Sequence, residues 1–431
     1  MLRVMPPPRV CPPSRAKPWA RPKLWRQART TTADHQTTTI VGVLKVLLAP
    51  LVLMGLAGCG SLQATWSDDA ATPSTESVRP AEQPAKPSET PGPPKSVNIV
   101  ASGDILIHDS LWMQAEADGG GRMDFGPELA GVKARIKAAD FAICHLETTL
   151  APAGGPYTSY PVFATPPQLA QAIKKTGYDA CSTVSNHTLD QGLAGVKQTL
   201  DELDAVGIGH SGTARSRGEA QTPSIYTVNG IRIAHLAYTY GYNGYTVPSD
   251  QPWCCNTISA PRMVADAKAA KAAGANIVIV STHAGDENVA APNAQQRRVA
   301  KALAASGAVN LILGNHVHVV QPVQKIGNMW IIYGHGNQLS GQYDHWPRNK
   351  EGVISDWTFT EQSDGSYAVT KAAGYPTLNV SNPIRMVDLV RKLPRNQDNA
   401  RMAEAYQRTK ATLLSMGAGR DGFVVPDPGS R

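Results

Sequence analysis

Between residues 97 and 313 the chain repeats one unit, a short apolar run followed by an Ala/Leu/Lys-rich stretch with helical spacing. Runs of this length fit buried strands, and the intervening stretches fit crossover helices, so the pattern predicts an α/β domain with parallel connections and helices on both sheet faces. The expected strands are 97–101, 141–144, 179–184, 231–237, 277–281 and 309–313, and the expected helices are 128–139, 167–176, 193–206, 260–273 and 293–306. Three later runs, 329–333, 353–360 and 367–373, have no helix between them and predict an antiparallel continuation of the sheet. A surface helix is expected at 398–416, followed by a frayed Gly/Pro tail.

The first ninety residues read differently. Residues 40–58 are apolar apart from Lys45, and they end in Leu56-Ala57-Gly58-Cys59, which resembles a bacterial lipoprotein signal. Small residues before a cysteine suit cleavage there, and the exposed Cys59 thiol then takes a diacylglycerol. The stretch is short and Gly/Pro-broken for a span of about 20 apolar residues; a single-pass anchor with an incidental cysteine is the alternative. Residues 60–95 are rich in Pro, Ser, Thr, Glu and Ala and cannot bury a core, so they read as a tether with a reach on the order of 100 Å. The expected organisation is therefore 1–58 extension and signal, 59–95 lipidated Cys and tether, 96–380 globular domain, and 381–431 C-terminal helix and tail. The location is extracytoplasmic, on the membrane.

Charge then excludes a partner. The formal +7 of the whole chain is concentrated upstream, where nine of the 41 Lys and Arg lie at or before Lys45 against one acid, Asp34. From Cys59 onward 32 bases face 33 acids, so the exported part has no basic signature and nucleic acid is not an expected partner. Cys11 lies in the removed part, and Cys144, Cys181, Cys254 and Cys255 remain in an oxidising compartment. Cys144 and Cys181 fall in expected strands, as a pair or as buried thiols. Cys254 and Cys255 are adjacent and can pair only in a small ring.

Metal-seeking side chains follow the C-terminal ends of the expected strands, the rim where open α/β sheets place their sites. Asp104 follows the first, Glu147 the second, Asn186 and His187 the third, His283 the run at 277, and His316 with His318 the run at 309. Taken alone, Asp104 in Ser102-Gly103-Asp104 reads as a turn or cap residue, and so does Ser185-Asn186-His187. The pair in Gly314-Asn315-His316-Val317-His318 is stronger, since residues two apart in extended chain project to one side. His145 shares a side with Glu147 and is a candidate extra ligand, as is His108. His235 lies in an apolar run and reads as a core histidine. His210 and His345 fall in expected loops. The aromatic, Gly/Pro-rich stretch 238–253 reads as a surface loop, with a substrate groove as the other reading.

The order Gly-Asp, acid, Asn-His, His, Gly-x-His-x-His over roughly 97–341 resembles the calcineurin-like phosphoesterases. The stretches Leu146-Glu147, Ser185-Asn186-His187-Thr188-Leu189-Asp190-Gln191-Gly192, His283-Ala284-Gly285-Asp286-Glu287, Gly314-Asn315-His316-Val317-His318-Val319-Val320-Gln321-Pro322 and Tyr333-Gly334-His335-Gly336-Asn337 are similar to the CapA or poly-γ-glutamate capsule synthesis branch. The resemblance implies a layered metallophosphoesterase-type fold, mixed sheets flanked by helices, holding two divalent ions. Asp104 and Glu147 would be carboxylate ligands with one bridging; Asn186, His283 and His316 would complete one metal, and His318 would serve the other. Oxygen and imidazole together suit Mn, Fe or Zn. His187 would be the general acid or a clamp on the substrate oxyanion, and Asp190 either orients it or caps the next helix.

The implied chemistry is metal-assisted hydrolysis of a phosphoester or an envelope polymer, with His187 assisting the leaving group. The phosphoesterase pattern Asp-x-His is absent, Glu147 stands where Asp is usual, and Thr188 follows the catalytic-type histidine in place of an acid. Within the capsule branch, His145, Ala284, His335 and Gln338 depart from the usual residues; His335 is a weaker candidate ligand. Two other functions remain open: a non-catalytic partner of a membrane synthase or anionic polymer, and a general envelope phosphodiesterase.

Overall fold

Successive side chains of a strand alternate between its faces, and β1 (Ser96–Leu106) uses this to send Val97, Ile99 and Ala101 inward while Val100 packs outward. The computed structural model describes residues 92–342, 346–395 and 399–430. Cys11, Cys59, the expected signal and His345 lie outside the described residues, as do nearly all of the expected tether and position 398, where the last helix was expected to begin.

After β1 come α1 (Asp109–Asp118), α2 (Gly126–Ile136), β2 (Phe141–Leu146), α3 (Gln168–Thr176), β3 (Ala180–Ser182), α4 (Gly192–Ala205), β4 (Gly209–Ser211), α5 (Arg217–Gln221) and β5 (Ser224–Val228). The second half runs β6 (Ile231–Thr239), α6 (Ala260–Ala272), β7 (Ile277–His283), α7 (Ala294–Ser306), β8 (Leu311–Asn315), β9 (Val323–Ile326), β10 (Met329–Ile332) and β11 (Asn337–Ser340). It closes with β12 (Glu351–Glu361), β13 (Tyr367–Val380), β14 (Arg385–Asp388), α8 (Leu389–Lys392), α9 (Ala400–Leu414) and β15 (Phe423–Val424).

These strands form two mixed sheets, as the resemblance implies, where the periodicity alone suggests one. The first has the order β14-β13-β12-β1-β2-β3-β4, with β11 also on β1 and β15 on β13; the second has the order β5-β6-β7-β8-β10-β9. Pairing is parallel through β1-β2-β3-β4 and through β6-β7-β8-β10, and antiparallel at β12-β13-β14 and at the β5 and β9 edges. One buried cluster joins the inner faces, with Ile99, Ile143, Val353 and Trp357 from the first sheet meeting Ile233, Ile279, Leu313 and Trp330 from the second. Helices α2 and α3 cover the outer face of the first sheet and α6 and α7 that of the second, while α8 and α9 pack into the inner cluster. Leu129, Val132 and Ile173 cover the first, and Met263, Ala267, Val299 and Leu303 the second. An alternating pattern cannot distinguish a helix from a second sheet as the partner of a buried face, which is why periodicity alone suggests one sheet.

Local chemistry sets the helix ends. Asn293 and Gln296 make a reciprocal capping box at the start of α7, and Gly307 ends it in the left-handed conformation at φ 67. The C-terminal part is integral to the domain, against the expectation of a surface helix and frayed tail. Met402, Ala405, Tyr406 and Leu413 lie on one face of α9 and are buried, and Phe423 of β15 packs its ring 5.6 Å from Trp357 and 6.3 Å from Trp330. Among the described residues no helix is long and apolar enough to cross a membrane.

Candidate metal centre

The alternation that builds the inter-sheet core also builds the site above it. On β7 the inward residues Ile277 and Ile279 give way to Ser281 and His283; on β2, Phe141 and Ile143 give way to His145, and Glu147 follows just beyond the strand. On β1 the register slips between Ala101 and Asp104, and Asp104 emerges opposite both His145 and Asn337. Gly103 is required for that slip: a Cβ there would lie 1.8 Å from the Gly336 carbonyl oxygen, and the Asp104 N–H donates to the same oxygen at 3.0 Å. The polar cluster is thus the upper layer of the core, at the carboxyl ends of both sheets.

His316 and His318 arrive differently from the expectation. Strand β8 ends at Asn315, and the two histidines sit in a turn with φ of 94° and 58°, not in extended chain. Left-handed backbone at two non-glycine residues costs about 1–3 kcal/mol each and is characteristic of functional sites. Their ring centroids are 6.1 Å apart, and the His316 N–H donates to the Asp104 carboxylate at 3.2 Å.

Among the described residues, three groups each bring their donor atoms within 4.8 Å of one another: Asp104, His145 and His283; Glu147, His283 and His316; and Asp104, Glu147 and His318. The sequence candidates thus converge, with Glu147 shared by two groups. His145 Nε2 lies 2.8 Å from His283 Nδ1 and 3.9 Å from Asp104 Oδ1, and His283 Nε2 lies 2.8 Å from Asn186 Oδ1. His145 is therefore part of the cluster. His108 is not in any of the three groups: its Nδ1 turns back to the Leu106 carbonyl at 3.2 Å, and its ring stands edge-on to Phe163. His335 is held by the Gly314 carbonyl and Ser355 Oγ through its two nitrogens, a structural role. His235 is buried on β6 with Nε2 on Ser281 Oγ, a core histidine. His210 lies on β4 rather than in a loop.

The donor chemistry fits a cation. Both Glu147 oxygens and His316 Nδ1 are buried without a hydrogen-bond partner among the described residues, an arrangement a folded protein avoids unless something else satisfies them. Burial raises the Glu147 pKa well above the usual carboxylate range. Burial, with neighbouring imidazoles, holds His283 well below its ordinary value and His316 down to about 3, and burial takes His145 to about 4; all three stay neutral, the ligating form. His318 goes the other way. Burial alone would lower it, but the adjacent Glu147 and Asp104 carboxyl groups outweigh burial and raise it to about 9.

Beside the cluster, His187 Nδ1 donates to Asp190 Oδ2 at 2.8 Å, and the Phe163 N–H donates to the same oxygen at 2.7 Å. Helix α4 begins at Gly192 with no side-chain cap. Of its two expected roles, Asp190 has the one of orienting His187, and with Nδ1 engaged, Nε2 is the nitrogen left for another partner. Thr188 closes the local turn by bonding Ser185. Cys144 and Cys181 sit opposite each other on β2 and β3 and are disulfide-bonded, as are the neighbours Cys254 and Cys255.

Sequence reasoning gave no role to three residues here. Asn337 Oδ1 lies 3.1 Å from His318 Nδ1, Tyr240 covers the rings of His283 and His316, and Asn243 touches both Asn186 and His187. Asn337 stood in a recognised motif; the other two lie in a loop without one.

The family model for the bacterial capsule synthesis protein PGA_cap matches residues 98–342. The chain is 30% identical over 210 residues to the PGA biosynthesis protein CapA of Bacillus subtilis (strain 168), covering 46% of this chain and 52% of that one. It is 28% identical over 190 residues to the capsule biosynthesis protein CapA of Bacillus anthracis, covering 43% and 46%. It spans about half the length of these curated relatives. Among solved structures it is similar to the calcineurin-like phosphoesterase YfkN of Bacillus subtilis, with 14% identity, a TM-score of 0.39, and coverage of 74% of this chain and 98% of that one. The match covers more than half of the sequence and contains every residue of the cluster, and the chain belongs to the bacterial capsule synthesis protein PGA_cap family.

Proposed function

We propose that this capsule-family protein is a metal-dependent hydrolase or transferase acting on a phosphoester or polymer of the cell envelope, held at the membrane by a lipid on Cys59. The observation that carries the reading is the convergence of Asp104, Glu147, His145, His283, His316 and His318 beside an oriented His187–Asp190 pair. Asp104, Glu147, Asn186, His283, His316 and His318 would hold two divalent ions, of Mn, Fe or Zn type, with His145 as a further donor. Ions bound there would supply Lewis acidity toward the scissile group and a nucleophile at neutral pH. The protein's own residues do the rest. Asp190 fixes the His187 ring, and His187 Nε2 delivers a proton to the leaving group or clamps the oxyanion. The half-exposed Tyr240 ring bounds the opening of the site.

Metal analysis of the purified protein tests this reading. His316→Ala or His318→Ala should lower metal occupancy by about 10-fold or more after dialysis, since even outer contacts to metal ligands are worth about 10–100-fold in affinity. His187→Ala should keep its metal and lose about 100-fold or more of the rate in a screen of phosphodiester and γ-glutamyl substrates. Full metal retention by both ligand variants would sink the metal centre. A metal-replete protein that binds an anionic envelope polymer and turns over nothing would leave the binding-partner reading in its place.

A further inference from the structure

The loop between β6 and α6 carries no recognised motif, yet it is tied to a ligand strand: the Tyr240 N–H donates to the His283 carbonyl at 3.0 Å. From there the Tyr240 ring lies 4.5 Å from that of His316 and stacks over His283 at 6.4 Å and 13°. Three residues on, Asn243 takes the left-handed conformation at φ 47, which brings its side chain back over the cluster. Its Oδ1 accepts from Asn186 Nδ2 at 3.2 Å.

An asparagine amide has one oxygen that can ligate and one nitrogen that cannot. In this structure the nitrogen is held by the loop and the oxygen faces His283 Nε2 at 2.8 Å, on the side of the clustered donors. Turned by half a rotation, the same amide would aim N–H groups at a cation. We propose that Asn243 is a positioning residue of the metal centre: its carbonyl oxygen captures the Asn186 amide nitrogen and keeps the Asn186 oxygen in the ligating orientation. The inference rests on the reading of Asn186 as a metal ligand. It separates Asn243 from the surrounding surface loop, because what is required at 243 is an acceptor, not a residue of a given size.

Two variants of the whole chain test it, by competition of Mn2+ against a chelator. Asn243→Gly suits the left-handed backbone but removes the acceptor, and should weaken Mn2+ binding by about 10–100-fold. Asn243→Asp keeps an acceptor oxygen and should bind within about 3-fold of the parent or more tightly. The metal-free melting temperature of the Gly variant should stay within about 2 °C of the parent, since Asn243 is itself exposed and the substitution removes no apolar side chain. If Asn243→Gly binds Mn2+ like the parent, or Asn243→Asp loses as much as the Gly variant, the positioning role is overturned while the metal centre stands. A Gly variant that melts well below the parent shows a structural role instead. Absence of Mn2+ binding by the parent overturns both the ligand reading and the inference.

Discussion

Glu128, in the first turn of α2, is fully buried, and neither of its carboxylate oxygens has a hydrogen-bond partner among the described residues. Burial, reinforced by Asp118 and Asp124 and only partly offset by Arg385, raises its pKa to about 9. The folded protein therefore keeps this carboxyl protonated at neutral pH, whereas the unfolded chain releases the proton above its ordinary value near 4.5. Stability is accordingly unaffected by this group below that value and falls as pH rises toward 9. Glu128→Gln should remove the penalty: urea unfolding at pH 5 and pH 8 should show the variant gaining on the parent by about 1–3 kcal/mol at the higher pH. Equal differences at both pH values would contradict it. At this scale the sequence was informative where chemistry announces itself. Asp104, Glu147 and His283 each follow a separate apolar run, and His316 and His318 follow another as a pair. Glu128 gave no signal, because a carboxylate in a helical pattern normally faces water, and Asn243 acts through a backbone conformation that composition does not encode.

Elements were legible in proportion to their periodicity. Runs such as 277–281 and 309–313 lie within or overlap strands of similar extent, and the helices of 260–273 and 293–306 form nearly as expected. Helix α1 was missed because its weak amphipathic pattern buries only Leu111 and Ala115, and β11 because its four residues acquire strand character by pairing with β1. The largest difference lies at α9, whose apolar stripe was visible but whose partner was not. Leu413 is completely buried in the inter-sheet core cluster, so Leu413→Ala should cost about 2–5 kcal/mol of unfolding free energy. A loss under about 1 kcal/mol in a denaturant titration would mean that α9 lies on the surface after all.

For the whole molecule, attachment and folding are separate questions. The proposed anchor is a single lipid on Cys59, which lies outside the described residues. Cys59→Ala should abolish incorporation of radiolabelled palmitate and move the protein from the membrane to the soluble fraction; label that persists in the variant would remove the anchor. Topology has a further consequence. Strand β1, the first element of the domain to be made, lies in the middle of its sheet, and one flank is completed by β12, where Asn98 pairs with Thr358 some 260 positions later. Contacts of such separation close slowly. During synthesis β1 keeps an open edge until nearly the whole domain exists, an interval in which the growing chain is vulnerable to aggregation unless a chaperone covers that edge.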